Sequence, residues 1–246
     1  MKLIRAFFMC LGMFTSLPCP YRPWDEDARD WMLVMLPVVG LVIGALWAGL
    51  AWLAVEVLHL SSISAALIAA LPWLLTGFIH LDGYMDTCDA MLSWRPLEKR
   101  LEILKDSHTG AFAVVGLGLL MLFSYDAAAT FAIPGAYAPL VFIPIVSRCG
   151  SALAVLTLKP IGHSQYAAME GKAAQRAAVV GIWAVAVGVC ALCFGLGPGL
   201  CLLIETAAYA LAMTWVYRTL QGVSGDVAGF ALTVSECVAL IAMAQM

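Results

Sequence analysis

Long apolar runs alternate with short polar connections along the chain. Several runs approach the roughly 20 residues with which a helix crosses a bilayer, and none shows the alternating, roughly ten-residue segments of a membrane β-barrel. The pattern predicts one all-α, polytopic integral membrane domain over residues 1–246, with six to seven transmembrane helices and short cytoplasmic helical loops. The predicted segments lie near 31–55, 61–79, 111–131, 138–158, 177–195, 199–217 and 228–245.

Lysine and arginine are distributed unevenly among the predicted connections. They precede the first segment and recur in every second connection, whereas the connections around 56–60, 132–137 and 195–199 contain none. Because cytoplasmic loops are enriched in Lys and Arg, the N-terminus and the basic connections are expected on the cytoplasmic face of the cell (inner) membrane. The residues that carry this prediction are Lys2, Arg5, Arg22, Arg29, Arg95, Lys99, Arg100, Lys105, Lys159, Lys172, Arg176 and Arg218.

The composition supports the assignment to membrane proteins and limits the kinds of binding partner to expect. The chain is 63% hydrophobic and only 12% charged, against about 25% charged in soluble domains. A net charge of −3 gives no reason to expect nucleic acid as a partner. Residues 1–20 share charges and an apolar stretch with signal peptides, but Arg5 shortens that stretch and no A-x-A site follows. A retained amphipathic or re-entrant N-terminal segment is therefore the preferred interpretation.

Three aspartates follow the second predicted segment at a spacing that places them on one side of a helix. Asp82, Asp86 and Asp89 stand at positions i, i+4 and i+7, which share a helical face. Neighbouring carboxylates repel one another unless a cation lies between them, and their oxygens suit Mg²⁺. They are therefore candidate metal ligands, with His80 as a further ligand, an orienting group or the end of the membrane segment. The alternative is a solvated helix start, where the helix dipole favours acidic residues.

The segment after the aspartates combines an apolar stripe with many charges. Leu97, Leu101 and Leu104 recur at helical spacing, which predicts a short interfacial helix. Residues 80–110 are thus expected to form a cytoplasmic acidic-motif loop and an interfacial helix. Lys105 is a candidate for neutralising a phosphate, and Asp106 for joining the metal shell or acting as a base. A polar membrane-entry segment without chemistry is the alternative.

One charge lies inside a predicted membrane segment. Arg148 falls in the fourth segment, where an arginine costs about 2.5–3.5 kcal/mol on insertion scales. It should therefore face a polar cavity or an acidic partner. Glu205 or Glu236 could be that partner, and direct binding of substrate is the alternative role for Arg148.

A glycine-rich stretch, residues 222–229, connects the last two predicted segments. Its glycines would let the backbone approach a phosphate, and Asp226 adds a carboxylate on the cytoplasmic side. Ser224, Gly225 and Asp226 are therefore candidates for substrate binding. The alternative is a flexible turn in which Asp226 caps the last helix.

Taken in order, these motifs resemble the cobalamin synthase family, the adenosylcobinamide-GDP ribazoletransferases. Residues 80–90, H-L-D-G-Y-M-D-T-C-D-A, resemble its H-L-D-G-x-x-D-x-x-D-A block. Residues 100–112, R-L-E-I-L-K-D-S-H-T-G-A-F, are similar to its R-x-L-E-I-M-K-D-S-x-x-G-x-x-G block. Residues 14–18, 36–44 and 222–229 also fit. The chain departs from the family's usual residues at Phe78 and Gln221, where glycine is common, at His108, where Arg is expected, and at Ala113, where Gly is expected.

The resemblance implies an activity and a cofactor. A hydroxyl of α-ribazole or its 5′-phosphate would attack a phosphorus of adenosylcobinamide-GDP, releasing GMP with the help of Mg²⁺. The metal would be held by Asp82, Asp86 and Asp89, and Asp89 or Asp106 would accept the proton. Lys105 and Arg148 would offset phosphate charge. The remaining residues that we assign to substrate binding are His80, Arg100, Ser107, His108, Ser224, Gly225 and Asp226.

Two other functions compete with this interpretation. A Mg²⁺-dependent alcohol phosphotransferase of the CDP-alcohol type also uses Asp-Gly-x-x clusters, but Asp86 stands where that pattern has alanine. A transporter could line its pathway with Arg148, Glu205 and Glu236, yet it would leave the three aspartates unexplained. The sequence leaves the oligomeric state open, with a homo-oligomer as one alternative.

Overall fold

The computed structural model describes residues 1–19, 21, 24–60, 63–131, 137–161 and 173–246. Within these ranges the protein is helical, and its β-structure is confined to one isolated bridge between Pro160 and Val223. The helices are α1 (Lys2–Phe14), α2 (Glu26–Arg29), α3 (Met32–Trp52, continued by a π-helix, Leu53–Val57), α4 (Ser64–Leu75), α5 (Ile79–Leu92), α6 (Leu97–Ile103), α7 (Ala111–Thr130), a 3₁₀ turn (Ala138–Val141), α8 (Ile143–Thr157), α9 (Ala173–Phe194), α10 (Leu196–Leu220) and α11 (Gly225–Ala244).

Six of these helices are long and apolar enough to cross a membrane: α3, α7, α8 with its 3₁₀ turn, α9, α10 and α11. Helices α4 and α5 pass the same test only as a pair, which would make seven. These counts refer to the described part of the chain. They confirm the predicted all-α, polytopic class with six to seven spans. A short helix, α6, occupies the stretch for which an interfacial helix was predicted. Its position at the membrane surface stays a prediction.

The second predicted segment, 61–79, is wrong as one continuous helix. Helix α4 has 12 residues, about 18 Å, which is short of the roughly 30 Å apolar thickness of a bilayer. Gly77 and Phe78 then have positive φ angles of 60° and 64°, and this left-handed backbone ends the helix. The chain turns by 91° into α5. Arg22 and Lys172, two of the basic residues of the predicted cytoplasmic connections, lie outside the described residues.

The N-terminal segment is attached to this break. The Ser16 backbone N–H donates to the Leu75 carbonyl oxygen at 3.0 Å, and its hydroxyl donates to that of Leu74 at 2.7 Å. These bonds satisfy carbonyls that the end of α4 leaves free. Phe14 stacks on His80 in α5, with ring centroids 6.2 Å apart. The amphipathic helix α1 therefore leads into a segment that holds the start of α5.

Helix α11 is the most central of the spans. It packs against α5, α7, α8 and α10, and most of its residues are buried. Helix α9, by contrast, lies at the periphery and buries few of its residues. The central position of α11 matters for function because its N-terminal end meets the aspartates of α5.

Candidate active site

The predicted acidic face lies on α5, which is helical from Ile79 to Leu92. Its three aspartates differ sharply in environment. Asp82 is exposed, Asp86 is half-buried and Asp89 is buried. The helix therefore runs from the surface towards the interior along its acidic side, and the three carboxylates have different opportunities to meet a ligand.

Helix α5 is fixed between α7 and α11. The Tyr84 hydroxyl donates to the Gly116 carbonyl oxygen of α7 at 2.9 Å. The same ring stacks on Phe230 of α11 with centroids 5.4 Å apart. At the start of the helix, the Thr233 hydroxyl donates to the His80 carbonyl oxygen at 3.3 Å. These contacts set the rotation of α5 and thus the direction of its aspartates.

The closest approach of α5 and α11 occurs within the acidic site itself. A Cβ atom on Gly83 would lie 2.6 Å from the Asp226 Cα, so only glycine fits at this position. The contact brings Asp226 next to the α5 aspartates, and it interacts electrostatically with both Asp82 and Asp86. Three carboxylates from two helices therefore converge, each with like-charged neighbours.

Ser224 and Gly225 form the approach to Asp226. The Ser224 hydroxyl accepts the Val227 backbone N–H at 3.3 Å and so caps α11. The alternative that Asp226 provides the cap is wrong. The same hydroxyl lies 3.3 Å from an Asp226 carboxylate oxygen, to which it donates. Gly225 is exposed.

Asp89 has a different local role from its neighbours. One carboxylate oxygen accepts the Gly110 backbone N–H at 2.6 Å, and the other accepts that of Ala113 at 2.9 Å. Asp89 thus binds N–H groups that the start of α7 leaves free. This links the two motifs at 80–90 and 100–112. Its assignment as a metal ligand or base stays a prediction, with both oxygens already hydrogen-bonded.

No group of three His, Cys, Asp or Glu side chains among the described residues is preassembled to hold a metal ion. Asp82, Asp86 and Asp226 nevertheless offer oxygen ligands at an accessible surface. Mg²⁺ usually takes one or two protein carboxylates and completes its shell with water and substrate phosphates. The donor set therefore fits a Mg²⁺ ion that arrives together with a phosphorylated substrate.

The connection from α6 to α7 is exposed from Lys105 to Thr109. Asp106 accepts the backbone N–H of His108 at 3.0 Å and lies 2.7 Å from its Nδ1 atom. This hydrogen bond raises the pKa of His108, and the same bond lowers the pKa of Asp106. Asp106 therefore remains a carboxylate, while His108 is more readily protonated. Ser107 stands exposed between them.

Arg100, predicted to bind substrate, is engaged with the backbone. Its guanidinium donates to the carbonyl oxygens of Met91 at 3.1 Å and Arg95 at 2.6 Å. These bonds cover the C-terminal end of α5. The predicted contact of Arg100 with substrate stays untested, but the structure gives the residue a clear structural role.

His80 is also occupied by packing. Its ring stacks on Phe14, and its Nε2 atom is buried without a hydrogen-bond partner in the described part of the chain. The backbone of His80 lies against Gly229 of α11. His80 therefore helps to join the N-terminal segment, α5 and α11, and its predicted roles towards a metal or substrate stay predictions.

Arg148 lies in a separate, fully buried polar centre. Its Nη1 atom donates to Glu236 Oε1 at 2.7 Å, which also accepts the Ser147 hydroxyl at 2.8 Å. The structural alternative from the sequence, pairing with Glu236, is thus present. Glu205 is also buried and interacts electrostatically with both charges. Direct substrate binding by Arg148 stays a prediction.

Backbone hydrogen bonds hold the glycine-rich stretch against a distant segment of the chain. The sequence did not reveal this contact. Val223 donates to the Lys159 carbonyl oxygen, and Ile161 donates to that of Val223, both at 2.9 Å. The two segments are 64 residues apart (223 − 159) in the sequence. The available signal was local: a residue before proline, here Lys159, favours extended backbone. It did not identify the partner segment.

Comparisons with known proteins agree over nearly the whole chain. Residues 6–244 match the family model described as cobalamin-5-phosphate synthase. A protein from Clostridium botulinum (strain Alaska E43 / Type E3) is 38% identical, covering 97% of this chain and 96% of the relative. One from Clostridium perfringens (strain 13 / Type A) is 34% identical over 94% of each chain. One from Geotalea daltonii is 31% identical over 98% and 97%. All three are named adenosylcobinamide-GDP ribazoletransferase. No solved structure matches the chain.

Proposed function

The chain belongs to the cobalamin-5-phosphate synthase family, and we infer from this membership that it is an adenosylcobinamide-GDP ribazoletransferase. It transfers the adenosylcobinamide phosphate group to α-ribazole or its 5′-phosphate and releases GMP. This is the step that assembles the nucleotide loop of cobalamin. We assign this reaction to the place where α5 meets α11 at Gly83. The observation behind the assignment is that Asp82, Asp86 and Asp226 converge there.

In the proposed reaction, a hydroxyl oxygen of the ribazole forms a new bond to the phosphorus that bears the cobinamide. The bond from that phosphorus to the bridging oxygen breaks, and the oxygen leaves with GMP. The hydroxyl proton is taken up by a base. Little covalent chemistry is required of the protein, so positioning and neutralisation of phosphate charge supply most of the catalysis.

We propose that Asp82, Asp86 and Asp226 hold Mg²⁺ at this site. When bound, the metal neutralises phosphate charge and stabilises the leaving phosphate. Asp226 replaces Asp89 in our assignment because both Asp89 oxygens accept backbone N–H groups. Partial exposure of the three carboxylates leaves room for substrate phosphates to complete the coordination.

The connection 104–110 supplies the groups around this metal site. Lys105 is exposed and is proposed to contact a phosphate. Asp106 is exposed and is proposed to accept the hydroxyl proton. Because Asp89 binds the backbone of Gly110, the connection is tied to the acidic helix. Ser224 and Gly225 are proposed to approach the substrate from the start of α11.

The acidic site is proposed to face the cytoplasm of the cell membrane. The support is the positive-inside pattern: the ends of α5 and α10 and the start of α9 lie in basic connections, whereas the opposite connections lack Lys and Arg. Charged nucleotide substrates would reach the site from that side without crossing the membrane.

The experiment measures GMP release by the purified protein in lipid nanodiscs. Adenosylcobinamide-GDP and α-ribazole are supplied, and the Mg²⁺ concentration is increased. We expect Mg²⁺-dependent release that Asp82→Asn and Asp86→Asn each lower by about 100-fold or more. Asp126→Asn, an exposed acid on α7, is the matched control and should retain wild-type rates.

The outcomes separate the parts of the proposal. Transfer in the wild type without added divalent cation, and unaffected by a chelator, would overturn the metal assignment but not the activity. Full activity of both variants would overturn the site. Absence of GMP, together with transfer from a CDP-alcohol to a lipid acceptor, would favour the alternative phosphotransferase.

A further inference from the structure

A second feature of the structure is formed by helices other than α5. Helices α8, α9 and α10 enclose an apolar groove of about 420 Å³, a volume typical of small-molecule sites. Ala154 and Thr157 of α8, Val180 and Trp183 of α9, and Ala210 and Thr214 of α10 are among its lining residues. Val180 is 47% exposed, so the groove is open to the surroundings of the helix bundle.

Each of the three helices brings a basic residue to the same end of this groove. Lys159 follows the end of α8, directly after the lining residue Leu158. Arg176 stands one turn before Val180 on α9, and Arg218 stands one turn after Thr214 on α10. Positions i and i+4 share a helical face, so both arginines lie in line with the groove.

The described stretches of chain that carry these three cations contain no acid. Residues 157–161, 173–180 and 213–221 contain no Asp or Glu. Lys159, Arg176 and Arg218 are all exposed, and none has a side-chain partner in the described part of the chain. An apolar groove that ends in three free cations complements a molecule with an apolar chain and an anionic head.

A neighbouring groove provides an internal comparison. Helices α3, α8 and α9 enclose about 490 Å³ lined by apolar residues, among them Ala178 and Gly181. One turn before Ala178, α9 has Ala174 and Gln175 rather than a cation. Within the described part of α9, a cation therefore lies in line with the first groove and none lies in line with the second.

We propose that the α8–α9–α10 groove binds an anionic phospholipid from the leaflet on the basic side of the membrane. An acyl chain occupies the groove, and the phosphate lies among Lys159, Arg176 and Arg218. Basic pockets between transmembrane helices are known to recognise anionic headgroups. The site is independent of the proposed transferase activity, because it shares no residue with the acidic site.

The test is native mass spectrometry of the full-length protein in detergent, titrated with dioleoyl-phosphatidylglycerol or dioleoyl-phosphatidylcholine. We expect the wild type to bind the glycerol lipid at least about tenfold more tightly. Each of Lys159→Gln, Arg176→Gln and Arg218→Gln should weaken that binding by about fivefold, because a cation near an anionic surface contributes about that factor. Binding of the choline lipid should change little.

Three further variants test the groove and provide its controls. Ala210→Phe should fill it and weaken binding of both lipids. Gly181→Leu fills the neighbouring groove, where a side chain meets open space, and should change neither. Arg95→Gln removes a charge from the same membrane face but outside the groove, and it should leave lipid binding intact. Should Ala210→Phe fail to fold, the three exposed charge variants still decide the question.

Several results would overturn the proposal. The first is equal affinity for the two lipids. The second is unchanged lipid binding in a variant that combines Lys159→Gln, Arg176→Gln and Arg218→Gln. The third is an equal loss of lipid affinity in Arg95→Gln and Arg176→Gln. Displacement of the bound lipid by adenosylcobinamide-GDP would instead identify the groove as part of the substrate site and would also overturn it.

Discussion

Carboxylates occupy two contrasting regions of this molecule. In the buried centre, Glu236 faces Arg148 at 2.7 Å and accepts a second bond from Ser147. In the acidic site, Asp82, Asp86 and Asp226 face mainly one another, at a surface that solvent reaches. The protein supplies Glu236 with a cation, whereas none of the three aspartates forms an ion pair within the described part of the chain.

This difference separates a structural charge from a functional one. Inside the bundle, an unpaired ion is so costly that the fold supplies its partner. At the surface, water lowers the cost of mutual repulsion, so the carboxylates can remain without a partner until a cation arrives. Within the described part of the chain, the three aspartates without a protein cation are thus the candidates for the proposed metal site.

Removal of Glu236, the buried counter-ion of Arg148, tests the structural role of this centre. Glu236→Gln leaves Arg148 without its hydrogen-bonded acid, and we expect a loss of about 3–5 kcal/mol in the free energy of unfolding. Unfolding in mixed detergent micelles measures it. Glu205→Gln is the matched control, since Glu205 is equally buried but makes no hydrogen bond to Arg148. Equal losses in the two variants would contradict the pairing.

The opposite behaviour is expected at the acidic site. Asp226→Asn should lower GMP release by about 100-fold while changing the free energy of unfolding by no more than about 0.5 kcal/mol. The reason is that it removes a proposed metal ligand and also a source of repulsion. Activity and unfolding should be measured on the same preparation. A large loss of stability with a proportionate loss of activity would make Asp226 structural.

Asp89 belongs to the acidic motif, but its two carboxylate oxygens accept backbone N–H groups. Asp89→Asn keeps one acceptor oxygen and loses the other, so we expect a loss of about 1 kcal/mol, as for a helix cap. Asp86→Asn should cost no stability. Thermal unfolding of the two variants side by side measures the contrast, and the reverse order would mean that Asp86 carries the structural role.

The smallest expected effect concerns the backbone between α4 and α5. Phe78 has φ of 64°, a conformation that costs a non-glycine residue about 1–2 kcal/mol. Phe78→Gly should therefore stabilise the protein by up to about 1 kcal/mol. Phe123→Gly, at an exposed position in the interior of α7, should instead destabilise by about 1 kcal/mol. Destabilisation by both changes would show that apolar contacts of Phe78 outweigh its strain.

Local patterns in the sequence predicted part of this architecture. The apolar runs predicted the spans, and the spacing of Asp82, Asp86 and Asp89 predicted a common helix, because helical periodicity depends only on nearby residues. The break in the second segment was missed because apolar residues continue through it. Gly77 indicates one of the two left-handed positions, but Phe78 hides the other, and Gln221, at φ of 57°, hides the left-handed position after α10.

Contacts between distant residues were the main limit for the site. The sequence predicts that Asp226 lies on the same side of the membrane as the aspartates of α5. It does not predict that the Asp226 backbone lies against Gly83. It likewise gives no sign that Asp89 binds Gly110 and Ala113, since a carboxylate has the same side chain in a metal site and in a helix cap. Arg148 needed a partner on physical grounds, but Glu205 and Glu236 were equivalent until the helices were packed.

The contact between Gly83 and Asp226 also has a consequence for biosynthesis. The two residues are 143 positions apart (226 − 83), and α11 is synthesised long after α5. A nascent or prematurely terminated chain can insert its earlier helices, yet it lacks one of the three converging carboxylates. The proposed metal site therefore cannot assemble until α11 has been synthesised and has packed against α5.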